Sequence, residues 1–141
     1  TPGADAAARE RAMAAFRAEA GVTALVCDAD DTLLVATWNA AARRGRLVRY
    51  SPAGEPLAAS DLPSLPTAIA TFDQRVAVSR FDGRLSLHDR ADLSSVVELP
   101  QPATALWNVV AYAGGPWLAV QCHDGEPRVL AADEGELDVA V

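Results

Sequence analysis

Phe81-Asp82-Gly83-Arg84-Leu85-Ser86-Leu87-His88-Asp89 is the stretch whose reading decides the fold. Asp-Gly is a turn pair. After it, apolar residues alternate through Leu85 and Leu87 and close on the polar pair His88-Asp89. The preceding segment, Arg75-Val76-Ala77-Val78-Ser79, has the small and β-branched residues of a strand. Two such runs joined by Asp-Gly predict an antiparallel hairpin.

The pattern recurs along the chain. Thr-Ala followed by an aliphatic residue occurs at Thr23-Ala24-Leu25, Thr67-Ala68-Ile69 and Thr104-Ala105-Leu106, offsets of 44 and 37 residues. Each is followed by a short apolar run, at Leu34 to Thr37, Val76 to Ser79 and Leu118 to Gln121. Next comes a glycine that opens another strand, at Gly45, Gly83 and Gly125. A fourth segment closes each unit: Leu57 to Leu62, Ser94 to Leu99, and Glu136 to Val141. Four short strands per unit, repeating at a period of about 40 residues, is the pattern of a propeller blade.

Phe81 to Asp89 also resembles the third strand of a WD-repeat blade, where Asp-Gly leads into a β-run that ends in Trp-Asp. Here His88 stands in the Trp place, and no Gly-His pair precedes any blade. The resemblance covers roughly residues 22 to 141. It implies an all-β chain of three degenerate, four-stranded antiparallel blades, at about 22–63, 64–101 and 102–141. It further implies a half propeller acting as a non-enzymatic protein-interaction scaffold. Before the blades, Asp5 to Ala20 break the β pattern and predict a single N-terminal α-helix, with residues 1–21 forming a separate segment. Ala6, Met13, Phe16 and Ala20 fall on one face of it, so Met13 and Phe16 are candidate partner contacts.

Composition narrows the function. The chain has 141 residues, 50% hydrophobic, with a net charge of −7, and all 12 basic residues are arginine. An acidic balance argues against wrapping a nucleic-acid backbone. No apolar run approaches the roughly 20 residues of a membrane helix, and no segment has the build of a signal peptide. A cytoplasmic protein with no cofactor is expected, with Cys27 and Cys122 as reduced core residues.

Several groupings invite chemistry. Val26-Cys27-Asp28-Ala29-Asp30-Asp31-Thr32-Leu33 is similar to the nucleophile motif of haloacid-dehalogenase-like phosphatases. That likeness implies attack on phosphate by Asp28 and acid–base work by Asp30 around Mg²⁺. Against it, no parallel βαβ pattern follows and no second acidic motif completes a metal site. The same residues also resemble the first turn of a WD blade. Ser79, Asp82 and His88 have the residue types of a triad, but are expected to tie strands together. Cys122-His123-Asp124 has metal-ligand types, yet neighbours on a strand point to opposite faces. Trp38, Trp107 and Trp117 leave a carbohydrate-binding propeller as an alternative, although no aromatic residue recurs at one position in all three units. Blade 1 carries four extra residues before Gly45, so Arg43, Arg44 and Arg46 form a basic loop, a candidate partner contact.

Three blades are too few to close a ring, since propellers typically have about 4–8. The central strands Leu33 to Thr37 and Trp117 to Gln121 are apolar on both sides. Leu34, Trp117, Leu118 and Val120 are therefore the expected self-association residues. The expected partner is a second copy, closing six blades, or another propeller-containing chain.

Overall fold

The structure, a computed structural model, describes residues 6, 7, 10, 21–98, 105–112, 117–133 and 136–140. Twelve strands make three four-stranded antiparallel sheets, each meandering in chain order. Blade 1 holds β1 (Val22–Cys27), β2 (Leu33–Asn39), β3 (Arg44–Tyr50) and β4 (Pro56–Leu62). Blade 2 holds β5 (Pro66–Phe72), β6 (Arg75–Arg80), β7 (Leu85–Asp89) and β8 (Ser95–Glu98). Blade 3 holds β9 (Leu106–Tyr112), β10 (Trp117–Cys122), β11 (Pro127–Asp133) and β12 (Glu136–Ala140). Of the expected N-terminal helix, Ala6, Ala7 and Glu10 are helical. Met13 and Phe16 lie outside the described residues.

The central hairpin forms as expected, with the turn spread over more residues than a bare Asp-Gly pair. Gly83 N–H donates to Arg80 O at 3.1 Å, and Arg80 N–H to Arg84 O at 3.1 Å. The Asp82 carboxylate accepts from Arg84 N–H at 3.2 Å. Gly83 sits at φ +83°, the left-handed region where a side chain would be strained. Blade 3 repeats the device: Gly125 N–H donates to Cys122 O, and Glu126 N–H to Asp124 Oδ1.

Registers correct the repeat alignment. The first strand pair of each blade contains a bulge, and the extra residue is Thr23, Thr67 or Trp107. The equivalent positions are thus 44 and 40 residues apart. Ala105 is the counterpart of Gly21 and Leu65, accepting from His123 N–H as they accept from Trp38 and Phe81. The third Thr-Ala pair therefore precedes the true equivalent by three residues, because Trp107 occupies the threonine's place. The two threonines have a physical role. Thr23 Oγ1 donates to Ala36 O across the bulge, and Thr67 Oγ1 lies 2.7 Å from Ser79 Oγ and 2.8 Å from Leu106 O on the next blade.

Packing follows the two-residue period of a strand. Leu34, Ala36, Leu47 and Leu62 of blade 1 form one buried cluster with Val76, Val78 and Leu93 of blade 2. Ala77, Leu85, Leu87, Ala70 and Phe72, facing the other way, pack on Leu106, Val109, Leu118, Val120 and Leu130 of blade 3. Inner strand β5 lies against β1 and β2, and β9 against β5 and β6.

Blade 2, buried on both faces, places His88 in the WD tryptophan position at 1% exposure. Its Nδ1 meets Leu93 O at 3.1 Å and its Nε2 meets Ser86 Oγ at 3.0 Å. Burial pushes the imidazole below its ordinary value, and the Arg80 charge adds to this, while the bond to Leu93 opposes it. The unfolded chain therefore binds a proton that the native His88 refuses. Its contribution to stability is complete above about pH 6.5 and is lost as pH falls below that value. Urea titrations from pH 7.5 to 5 should show falling stability in the wild type and a smaller fall in His88→Gln. At pH 7.5, Leu118→Ala should lower stability by about 2–5 kcal/mol by opening a cavity between blades 2 and 3. A change under 1 kcal/mol would contradict that placement.

Candidate functional site

The phosphatase-like motif spans the turn between β1 and β2, two antiparallel neighbours. Ala29–Asp31 form one 3-10 turn in which Asp30 and Asp31 take φ of +59° and +56°. Aspartate tolerates that region better than most residues, which explains the acidic run without catalysis. The Asp28 side chain is 1% exposed and paired with Arg49 of β3 at 2.9 Å and with Arg90 from the β7–β8 turn of blade 2. Arg49 also donates to Thr32 Oγ1 at 2.7 Å and to Arg90 O at 2.5 Å, and Arg90 to Asp73 O at 2.7 Å. Burial alone would raise the Asp28 carboxyl. The bonds from Arg90, the Ala29 backbone and Arg49 outweigh it and hold the group at about 2.

Both carboxylate oxygens are thus engaged by guanidinium groups. Asp28 is an interblade clamp joining blade 1 to blade 2. The acidic turn thus has a structural role, as its likeness to the first turn of a blade implied. The charged form of Asp28 is favoured only in the folded state, so its contribution is present above about pH 4 and lost as pH falls toward 2. Asp28→Asn should cost about 2–4 kcal/mol at pH 7 by stranding Arg49. The variant should also lose less stability than the wild type between pH 4 and 2. Thermal melts across that range check both statements.

The triad types do not meet. Ser79 bonds Thr67, Asp82 pairs with buried Arg80 at 2.6 Å, and His88 bonds Ser86 and Leu93. Among the described residues no group of three or more His, Cys, Asp or Glu is placed to hold a metal ion. Cys122 is buried, whereas Cys27 is exposed at the end of β1, unlike the core position expected for it.

The basic segment of blade 1 is less of a loop than its length implied. Trp38 pairs with Gly45 and Asn39 with Arg44, so the ladder itself is extended. Asn39 Oδ1 accepts from Ala42 N–H at 3.0 Å, and Arg43 turns the chain at φ +52°. Arg43, Arg44 and Arg46 are exposed. Arg43 and Arg44, with Asp61, Leu62 and Pro63, border a depression of about 340 Å³.

The expected self-association residues divide by parity. Leu34 is buried between blades 1 and 2, and Leu118 and Val120 between blades 2 and 3, so these three are occupied within the chain. Trp117 is exposed on the free side of blade 3, together with Val110. That side carries a depression of about 330 Å³ bordered by Asn108, Val110, Ala119, Gln121 and Pro127. On the side of blade 1 away from blade 2, Val35, Val48 and Tyr50 form a buried cluster, while Leu25 is exposed.

Sequence spacing missed one recurrence. Trp38, Phe81 and His123 occupy one repeat position, at the same end of their blades. Phe81 and Trp107 meet edge to face at 5.3 Å, and Trp107 lies 6.0 Å from the His123 ring. The signal was present in the residues but hidden by the misaligned Thr-Ala marker.

Antiparallel four-stranded sheets packed side by side around their inner strands make a partial β-propeller. Solved structures place it in the WD40-type fold. The chain is similar to the RRP9 WD40 repeats, with a TM-score of 0.73 at 15% identity, covering 84% of this chain and 38% of that one. It is similar to U3-55K, with a TM-score of 0.70 at 14% identity, covering 86% of this chain and 39% of that one. The computationally designed Ika4 protein matches with a TM-score of 0.69 at 18% identity, covering 84% of this chain and 71% of that one. At such identities the likeness is one of fold. The chain spans less than two fifths of the RRP9 structure's length. No protein-family model and no curated protein matches the sequence.

Proposed function

We propose that the chain is a non-enzymatic protein-interaction scaffold, a propeller segment whose end blades recruit further blades. The supplier is a second copy of the chain or another propeller-containing chain. The observation that carries this is the free side of blade 3, where Val110 and Trp117 are exposed on a sheet face of a kind that the interior blades bury. Exposed apolar sheet surface of this sort marks an interface. Two blade-to-blade seams would bury well over about 1,000 Å², the size of a stable interface. The similarity to WD40 structures supports a scaffold rather than a particular partner.

Partners are taken to be proteins. A net charge of −7 disfavours nucleic acid. No described helix is long and apolar enough to cross a membrane. A cytoplasmic location fits this reading. Arg43, Arg44 and Arg46 offer a charged contact for a partner, and Met13 and Phe16 of the N-terminal segment an apolar one. A carbohydrate-binding propeller is the second reading, favoured by the recurrence of Trp38, Phe81 and His123 at one blade end.

Light scattering at micromolar concentration tests the leading reading: a mass near twice 14.8 kDa supports self-completion. A folded 14.8 kDa species at every concentration transfers the role to a different chain. Replacing Arg43, Arg44 and Arg46 with Ser should shift the melting temperature by less than about 3 °C, because exposed charges contribute little stability.

A further inference from the structure

The two interior seams are built from the same repeat positions, and among the described residues Leu25 of β1 and Val110 of β9 hold those positions without a facing blade. Leu25, Ile69 and Val109 are equivalent, each two residues beyond the bulged residue of its inner strand. Ile69 packs in the cluster shared with blade 1, and Val109 in the cluster shared with blade 2. Leu25 is 60% exposed. Val26, Ala70 and Val110 are likewise equivalent. Val26 packs toward blade 2 and Ala70 toward blade 3, while Val110 is 52% exposed.

We infer that Leu25 of one copy and Val110 of a second form the closing seam of a head-to-tail assembly, in the places that Ile69 with Val26 and Val109 with Ala70 take inside the chain. This rests on the scaffold reading above and names its partner as a second copy of the chain. Charge supports that occupant. In a stack of blades, like turns lie beside like turns, so the β2–β3 turn of one copy adjoins the β10–β11 turn of the other. The first bears exposed Arg43 and Arg44, and the second bears exposed Asp124 and Glu126, with Asp124 also paired to Arg128 at 3.3 Å. Opposite charges thus meet across the seam, at the rim where they fix register and speed encounter. Val35, the counterpart of Val78 and Val120, is already buried with Val48 and Tyr50, so on blade 1 the seam is confined to inner strand β1, whereas the interior seams also use β6 and β10. A head-to-tail contact is heterologous, and two copies give six blades, within the usual range for a closed ring.

The test uses the full chain with Leu25→Asp and Val110→Asp made separately, each read by light scattering, with circular dichroism as the folding control. Every seam contains one Leu25 and one Val110, so each variant alone should associate at least about 100-fold more weakly than wild type. Mixed in equal amounts, they should form a one-to-one complex, since Val110 of the first chain and Leu25 of the second are intact. Should either aspartate variant fail to fold, Leu25→Ser and Val110→Ser take their place. Reversal of Arg43 and Arg44 to Glu should weaken wild-type-like association, and Asp124→Arg with Glu126→Arg should restore it. If wild type pairs but Leu25→Asp pairs equally well, the seam is wrong and the scaffold reading stands. If Val110→Asp alone abolishes pairing, the contact is blade 3 against blade 3, which also overturns the seam. A monomeric wild type overturns the second copy as the occupant.

Discussion

A propeller blade is a sheet with two apolar faces, so it needs a neighbour on each side. That constraint organises the molecule. Blade 2 has both neighbours: Val76 and Val78 pack one way, while Ala77, Leu85 and Leu87 pack the other. Among the described residues blades 1 and 3 each have one neighbour, and their outer faces hold the exposed large apolar residues Leu25, Val110 and Trp117. At roughly 25 cal/mol per Å² of apolar surface, such faces favour burial strongly enough to offset part of the entropy of association.

Apolar packing holds the blades face to face, and polar contacts set their register. Thr67 reaches across from β5 to the Leu106 carbonyl of β9. The Asp28 carboxylate gathers Arg49 from its own blade and Arg90 from the next. Asp28 and Arg49 are largely dehydrated while Arg90 is partly exposed, so removing Asp28 leaves Arg49 with a buried charge that has lost its partner. His88 does analogous work with uncharged groups inside blade 2, bonding a backbone carbonyl and a serine in the place where the WD pattern has tryptophan.

Strand number, blade order and the central hairpin were legible in the sequence because alternation and turn chemistry are local. The faces were not. Leu34, Leu118 and Val120 sit in strands apolar on both sides, and period two alone cannot say which side has the neighbour. Register also lay beyond spacing: the bulge put Trp107, not Thr104, in the place of Thr23 and Thr67. The role of Asp28 was hidden for a different reason. The turn read as structural, but its partner Arg90 is 62 residues away and only the fold brings that guanidinium to it. The basic segment was read correctly as an insertion, but its register with Gly45 and Arg44 shows a lengthened hairpin.

Small-angle X-ray scattering on the intact chain, taken over a concentration series, bears most directly on the claim that the end blades are interfaces. A closed pair of chains predicts a compact particle with a radius of gyration of about 19 Å, unchanged on moderate dilution. A folded particle that stays at about 14 Å at every concentration, the value for a lone chain of this length, would contradict self-completion.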